Sequence, residues 1–260
     1  AGTGVSISKM SKQFLGLIRK LKIPVVTGWN AHDLISNDNK YYAGKPGTVG
    51  DRPGNFTVQN SDLLIVLGCR LNIRQISYNW KAFAPKAFKI MVDIDQAELD
   101  KPTLKIDHKI KADLQTFIPL FIQKIQDLNY TCTKEHKKYL MWCKERVIKY
   151  PVMLPEYSNT KIKKINPYAF TDELFNLLDK DDVVITGNGS ACVITFQAAK
   201  IKQGQRLYTN SGSASMGYDL PASIGAAIAK KGKRIICLAG DGSLMMNLQE
   251  LQTMQGYNLP

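Results

Sequence analysis

The stretch that decides the fold is residues 234–260, RIICLAGDGSLMMNLQELQTMQGYNLP. Its first five residues, 234–238, are mostly apolar and predict a buried strand. Residues 239–243, Ala-Gly-Asp-Gly-Ser, predict a tight turn. Apolar residues then recur at helical spacing, at Leu244, Met245, Leu248, Leu251 and Met254. We therefore predict a strand, a glycine turn that carries one carboxylate, and a helix that begins directly after the turn.

The turn at 239–243 has the chemistry of a site for a phosphate ester and a divalent cation. Backbone N–H groups at the start of a helix attract an anion, and Gly240 and Gly242 let the backbone approach it. Asp241 offers a hard oxygen ligand to Mg²⁺ or Ca²⁺. A plain Asp-Gly turn explains these five residues equally well. The helix that follows, and a second glycine-rich turn at 212–217, favour the phosphate site.

Length and composition indicate two domains. The chain has 260 residues, 44% of them apolar, which exceeds one average domain. It contains no run of 18 apolar residues and no recognisable signal peptide, so we expect no membrane partner. Five scattered cysteines without CxxC spacing favour buried thiols in a reducing cytoplasm over disulfides or zinc. The first residue is not Met and the last falls where a further strand is expected, so we expect a chain cut at both ends.

The charge balance is basic, with 35 Lys and Arg against 22 Asp and Glu and a net charge of +13. Such a balance can indicate nucleic-acid binding. Here the excess is mostly lysine, spread over amphipathic helices and concentrated at 134–164, which is typical of solvated helix faces. We therefore expect no nucleic-acid partner.

The first 127 residues alternate short apolar strands with helices, which is typical of a parallel sheet covered on both faces. Gly and Pro are frequent over residues 29–51, which predicts a loop. The predicted strands are 23–27, 63–67, 89–94 and 109–112, and the predicted helices are 7–21, 56–59, 96–99 and 114–126. We predict a central α/β domain over residues 1–127, doubly wound and Rossmann-like.

Residues 128–165 are predicted to link this domain to a second one. They contain one helix around 139–147, then Pro151 and Pro155, then a basic, Asn-rich loop. Residues 166–260 again alternate, with predicted strands at 183–186, 206–210 and 234–238 and predicted helices at 167–178, 192–199 and 220–229. The predicted fold class is α/β with two doubly wound, parallel-sheet domains.

Three strands of the second domain end in glycine-rich or small polar turns, at 187–190, 211–217 and 240–243. Ligands of open parallel sheets bind beyond the carboxyl ends of the strands, so these turns predict a pocket for a phosphorylated cofactor. The pocket contains no Ser-His-Asp set, no Cys-His pair and no paired carboxylates, and this half of the sequence contains no histidine. Acid–base chemistry must come from a cofactor or from another segment, and the catalytic residues stay unassigned.

Two pairs of motifs in this sequence resemble a known family. NSGSASMGYDLPASIGAAIA at 210–229 and RIICLAGDGSLMMNLQELQT at 234–253 are similar to the diphosphate-binding domain of thiamine diphosphate enzymes, in the acetolactate synthase-like branch. DRPGNFTVQNSDLLIVLGCRL at 51–71 and FAPKAFKIMVDIDQAEL at 83–99 resemble the central domain of that branch. The resemblance covers nearly all 260 residues in the same order.

The resemblance implies a set of contacts to thiamine diphosphate. Asp241 would bind the bridging Mg²⁺, and Met216 would support the bent cofactor, although a methionine of the core is the alternative. The implied cofactor contacts are Asn188, Gly189, Ala214, Met216, Gly240, Asp241, Gly242 and Ser243. Asn188-Gly189 stands where the branch usually has Gln-His, and Ala214 where it usually has Gly.

The resemblance also implies an activity. This chain would be part of a longer protein, which we call the parent. The parent would be a decarboxylase or carboligase of 2-keto acids such as pyruvate, working as a homodimer or homotetramer. Its pyrimidine-binding domain, with a catalytic glutamate, and part of the diphosphate-binding domain would lie outside these residues, so this chain alone should be inactive.

Central domains of the branch often hold FAD, and Gly68, Arg70, Arg74 and Asp93 match contact positions; in other relatives this domain is only a spacer. The alternative function is a non-catalytic α/β module that binds a nucleotide or phosphate.

Overall fold

The computed structural model describes residues 1–158 and 164–260. It consists of two compact units, Ala1–Pro151 and Val152–Pro260. Each unit contains a parallel three-stranded sheet with helices, which confirms the predicted fold class. Among the described residues, no helix combines the length and the apolarity needed to cross a membrane. All five cysteines are free thiols.

The first unit has a sheet of order β1-β2-β3 with a core on each face. Side chains alternate along a strand, so Leu67 and Val92 contribute to one core, while Val66 and Met91 contribute to the other. The elements are α1 (Gly4–Ile7), α2 (Ser11–Leu21), α3 (Arg52–Gln59), β1 (Leu63–Leu67), α4 (Ile73–Ile76), β2 (Phe88–Asp93), α5 (Gln96–Asp100), β3 (His108–Lys111), α6 (Leu114–Asp127) and α7 (Lys134–Lys149).

Three predicted elements of this unit differ in extent from the structure. The strand predicted at 23–27 is only a single parallel bridge between Val25 and Tyr42. The short helix predicted at 56–59 begins four residues earlier, because the Asp51 carboxylate caps it by accepting from the Gly54 N–H at 2.7 Å. The predicted helix 7–21 is divided into α1 and α2, with Lys9 between them at φ 59°.

Helix α7, which the sequence placed in a linker, packs within the first unit. The Tyr139 hydroxyl donates a hydrogen bond to the Thr57 carbonyl of α3. Beyond the end of α7, the Tyr150 ring lies 5.2 Å from the Phe56 ring and 4.3 Å from the Arg52 guanidinium. The boundary between the compact units therefore follows this helix instead of preceding it. Residues 159–163 of the predicted basic loop lie outside the described residues.

The second unit has a sheet of order β5-β4-β6. β6 was predicted to be buried, but all four of its residues are only half-buried. It is an edge strand, paired with β4 on one side. The helix predicted after it is divided into two, with a break at 247–249. The elements are α8 (Pro167–Leu177), β4 (Val183–Thr186), α9 (Gly189–Ala198), β5 (Arg206–Thr209), α10 (Asp219–Ala229), β6 (Ile235–Leu238), α11 (Asp241–Met246) and α12 (Glu250–Gly256).

A buried lysine lies in the loop between α2 and α3. Lys45 is 1% exposed, and burial, partly offset by the nearby Asp51 carboxylate, lowers the pKa of Lys45 to about 8. The Asp51 carboxylate accepts from the Lys45 N–H at 2.9 Å. The folded chain therefore binds this side-chain proton less tightly than the unfolded chain does, which costs stability wherever the lysine stays protonated.

We predict that Lys45→Met changes how stability depends on pH. The destabilising effect of Lys45 is full below its folded pKa of about 8 and fades as the pH rises toward the ordinary value of 10.5. Between pH 7.5 and 9.5 the unfolding free energy of the unaltered chain should rise by about 2 kcal/mol relative to that of the variant. Urea unfolding followed by tryptophan fluorescence measures this, because Trp29, Trp80 and Trp142 all lie in the first unit.

The matched control is Lys20→Met on the exposed face of α2. The unfolding free energy of this variant should change with pH by the same amount as that of the unaltered chain, because the substitution removes no buried charge. Equal pH dependence in the Lys45→Met variant and the unaltered chain would contradict the expected effect of burial.

Candidate functional site

Three turns of the second unit start side by side. β4 lies between β5 and β6, and in the register Thr186 is level with Thr209 on one side and with Leu238 on the other. Because the strands are parallel, the segments that follow them meet at one edge of the sheet. We call this edge the strand-end rim, and it consists of residues 187–190, 210–217 and 239–243.

A buried carboxylate that the sequence analysis did not single out connects two of these turns. Asp219, the first residue of α10, is 0% exposed, and its Oδ2 accepts a 2.6 Å hydrogen bond from the Ser243 hydroxyl. The Ser243 oxygen accepts in turn from the Gly217 N–H at 2.8 Å. A hydrogen bond to a carboxylate inside a protein is among the stronger kinds. The turn after β6 is therefore fixed against the turn after β5. An acidic residue opening an otherwise apolar helix was the available signal.

Two side-chain amides complete the connections within the rim. The Asn188 amide donates to the Ala214 carbonyl at 3.1 Å, which joins the turns after β4 and β5. The Asn247 amide donates to the Gly217 carbonyl at 2.6 Å, beside the Ser243 contact. Each turn is thus bonded to at least one other, and the rim is a fixed surface. Asn247 was missed because the sequence analysis placed it inside a continuous helix.

The turn after β6 offers a carboxylate and open backbone together. Asp241 is exposed and opens α11, with Gly240 at the N-cap. Gly240 has a φ of −76°, which any residue adopts, and a Cβ added there would meet no atom within 4 Å. Neither the backbone conformation nor the packing therefore requires glycine at this position. A bare backbone beside an exposed carboxylate fits a cofactor that comes close to the chain.

Ser243 and Met216 take different positions in the rim. The Ser243 hydroxyl is occupied by Asp219 and Gly217, so only its backbone N–H, in the first turn of α11, is available to a ligand. Met216 is 44% exposed, which argues against the alternative of a core methionine. A Cβ added to Gly242 would lie 3.0 Å from the end of the Met216 side chain. The predicted cofactor contacts remain predictions, but the structure brings them to one rim.

The described residues do not contain a complete metal site. Within 1–158 and 164–260, no group of three or more His, Cys, Asp and Glu side chains could hold a metal ion. Asp241 therefore supplies one side-chain ligand at most, and other ligands would have to come from the cofactor, water or other residues. A cavity of about 380 Å³ in the second unit lies at the opposite end of the sheet, beside Asp182, Lys233 and Arg234.

The residues predicted to contact FAD lie at the carboxyl ends of β1 and β2 or just beyond them. Arg70 bonds to the Glu98 carboxylate at 2.5 Å, with 74% of its side chain exposed, and Arg74 is exposed on α4. Asp93 is buried and accepts from the Asp95 N–H at 3.0 Å. These contacts neither require nor exclude a flavin.

Gly68 has a structural explanation. A Cβ added to Gly68 would lie 2.8 Å from the Cα of Gly4, because the two backbones touch. The Gly68 carbonyl accepts from the Gly4 N–H at 3.0 Å, and its own φ is +52°. Close packing therefore accounts for this glycine without a ligand.

Two family descriptions match the chain. Residues 1–121 match "Thiamine pyrophosphate enzyme, central domain". Residues 187–260 match "Thiamine pyrophosphate enzyme, C-terminal TPP binding domain", which contains the whole strand-end rim. The two matches fall in the two compact units in the order that the sequence motifs indicated.

Similar curated proteins carry the names of acetolactate synthase large subunits. The chain is 31% identical over 273 residues to a probable acetolactate synthase large subunit of Methanococcus aeolicus, covering 100% of this chain and 44% of that protein. It is 35% identical over 263 residues to the acetolactate synthase large subunit of Cyanidium caldarium, covering 99% and 43%. It is 29% identical over 265 residues to the isozyme 2 large subunit of Escherichia coli, covering 100% and 44%. The chain therefore spans less than half the length of these relatives.

We predict that Ser243→Ala destabilises the second unit by about 2 kcal/mol, because the buried Asp219 carboxylate loses its hydroxyl donor. Hydrogen exchange of the β4 amides, measured by mass spectrometry, should speed up by more than about tenfold. Ser213→Ala in the same rim is the control, since Ser213 is exposed, and it should leave exchange unchanged. Unchanged exchange in the Ser243 variant would show that this bond does not hold the rim.

Proposed function

The chain belongs to the thiamine pyrophosphate enzyme family, in its acetolactate synthase-like branch, and we propose on that basis that the strand-end rim binds the diphosphate of thiamine diphosphate together with Mg²⁺. The observation that carries the proposal is the turn after β6, where an exposed carboxylate stands beside a glycine that neither φ nor packing requires. The parent would be a decarboxylase or carboligase of 2-keto acids.

Each part of the rim would have a separate task. Asp241 would bind the cation, and the N–H groups of Gly242 and Ser243 would donate to the diphosphate from the first turn of α11. The turns of the rim are already joined by hydrogen bonds of Ser243 to Asp219 and of the Asn188 and Asn247 amides. The chain would then lose little conformational freedom when the cofactor binds.

The cofactor, when bound, supplies a carbon nucleophile for the attack on a 2-keto acid, its decarboxylation and transfer of the remaining group to a second carbonyl compound. The chain's own residues bind and orient. Met216, half-exposed over Gly242, offers an apolar surface at the rim against which the cofactor would rest. The second unit has no histidine, so proton transfer would rely on groups outside it.

Three further properties of the parent are proposals of the same kind. Relatives match this chain over less than half of their length, so the active parent would contain additional domains. We propose that it is a homo-oligomer, as the sequence resemblance implies. A flavin in the central domain stays a prediction that the contacts of Arg70 and Asp93 leave open.

We predict that Asp241→Asn in the full-length parent weakens thiamine diphosphate binding in the presence of Mg²⁺ by at least about 100-fold, because the metal loses a charged ligand. Isothermal titration calorimetry measures the affinity with Mg²⁺ and, separately, with EDTA. The variant should bind equally weakly under both conditions.

Glu173→Gln on the exposed face of α8 is the matched control, and it should retain the full effect of Mg²⁺. If the unaltered parent binds thiamine diphosphate no more tightly with Mg²⁺ than with EDTA, the proposed site is wrong. A nucleotide that binds the rim in its place would favour the non-catalytic module.

We also predict that Met216→Ala lowers the affinity of the parent for thiamine diphosphate by about tenfold without lowering its stability. The side chain is half-exposed, so its removal leaves no cavity in a core. Calorimetry and thermal unfolding of the same variant separate the two effects. A fall in melting temperature with unchanged affinity would identify Met216 as a packing residue instead.

A further inference from the structure

Asn188 stands at a position where an asparagine usually caps its own helix. It is the N-cap residue of α9 and has an extended backbone, yet its side chain makes no bond to the first turn of that helix. Asparagine is among the most favourable N-cap residues, because its side-chain oxygen accepts from a backbone N–H of the first turn. Here the amide donates instead to the Ala214 carbonyl at 3.1 Å, 26 residues later in the chain. The side chain has exchanged a local bond for a contact across the rim.

Ala214 has a backbone conformation that favours glycine. Its φ is +53°, in the left-handed region, where the Cβ of an alanine comes too close to the following carbonyl oxygen. The residue is exposed, so packing of its side chain does not compensate for this strain. Its N–H donates to the Asn210 carbonyl at 2.7 Å, and its carbonyl accepts from Asn188. Strained residues persist only where their surroundings hold them, and these two hydrogen bonds do so here.

The bond from Asn188 is the one that ties Ala214 to another turn. The Asn210 carbonyl accepts from within its own loop, and the Asn210 amide donates to the Ser215 hydroxyl at 3.2 Å. Both of these contacts are local and move with the segment that contains Ala214. Asn188 lies in the turn after β4, the central strand of the sheet, which is bonded to a neighbour on each side. The conformation of Ala214 is therefore held from the middle of the sheet.

The course of the chain at Ala214 decides where Met216 lies. Gly217 is bonded to the turn after β6 through its N–H, and Ala214 is bonded to the turn after β4, so Met216 lies in a short segment held at both ends. The end of its side chain is 3.0 Å from the place where a Cβ on Gly242 would be. If Ala214 changed to an ordinary negative φ, the chain would leave it in another direction. Met216 would then move away from the turn that carries Gly242.

We propose that Asn188 is a positioning residue, whose amide holds Ala214 in the left-handed conformation and so keeps Met216 where it supports thiamine diphosphate. The proposal rests on the function proposed above for the strand-end rim. The family resemblance implied that Asn188 itself contacts the cofactor. In the present assignment its side chain acts on the cofactor through Ala214 and does not touch the diphosphate.

The effect on affinity follows from the population of the turn that is ready to bind. The apparent dissociation constant rises in inverse proportion to the fraction of molecules in the competent conformation. Without the bond from Asn188, the strain at Ala214 is less well compensated and this fraction falls. A glycine in place of Ala214 removes the strain, because glycine adopts positive φ readily. The bond from Asn188 should then matter much less.

The test is a double-mutant cycle in the full-length parent. In Asn188→Ser the new side chain can cap α9 but is too short to reach Ala214, so the melting temperature should change by less than about 3 °C. Calorimetry with Mg²⁺ should show thiamine diphosphate binding weakened by about tenfold, and hydrogen exchange at 211–217 should speed up by a similar factor. Combined with Ala214→Gly, the same substitution should weaken binding by less than about threefold.

Asn176→Ser at an exposed position of α8 is the matched control, and it should leave affinity and exchange unchanged. An equal loss of affinity from Asn188→Ser with and without Ala214→Gly would overturn the proposal, because Asn188 would then contact the cofactor directly. Unchanged affinity in Asn188→Ser would also overturn it, while the proposed function would stand. A parent that does not bind thiamine diphosphate with Mg²⁺ would overturn both, so the two failures are distinguishable.

Discussion

The second unit depends on one buried carboxylate. Asp219 is completely removed from solvent and bonds to the Ser243 hydroxyl, which in turn accepts from the Gly217 N–H. The other carboxylate oxygen accepts from the Leu220 N–H, so both oxygens have a partner. Breaking the Ser243 bond would leave one buried oxygen without a donor, which costs stability. Asp241 lies two residues before Ser243, so this contact helps to fix its position although Asp241 takes no part in it. The exposed carboxylate is therefore placed by the buried one.

Much of this architecture could be predicted from the sequence, and the parts that failed share a cause. Short apolar runs that end in turns identified β1, β4 and β5, because such a pattern is local to the sequence. Residues 23–27 have the same pattern but form one bridge, because a strand also needs a neighbour to bond with. β6 was predicted as a strand, but all four of its residues are only half-buried. Strand pairing depends on segments that are distant in the sequence, so a local sequence pattern cannot predict it.

The sequence motifs contain the exposed groups of the candidate site but not the residues that hold them in place. Asp241 and Gly240 stand in a turn whose residue types suit phosphate and metal chemistry, whereas Met216 was implied by the family resemblance. All three lie at one rim. Asp219 and Asn247 stand in ordinary helical sequence, and their roles come from bonds to residues 24 and 30 positions away. The resemblance implied that Ser243 contacts the diphosphate from the start of the helix, and its hydroxyl faces inward. Spacing along the chain indicates which residues are near a turn, but not which way they point.

The half-exposed strand β6 has a consequence for handling the protein. Its outer side presents a row of backbone donors and acceptors next to apolar side chains, which is a template for association between copies. Just before this strand lie Lys230, Lys231 and Lys233, and their like charges oppose the pairing of one edge with another. Arg234 is paired with Asp182 and adds little to this repulsion. High ionic strength screens such repulsion. Raising the salt concentration should therefore favour association of copies through this edge.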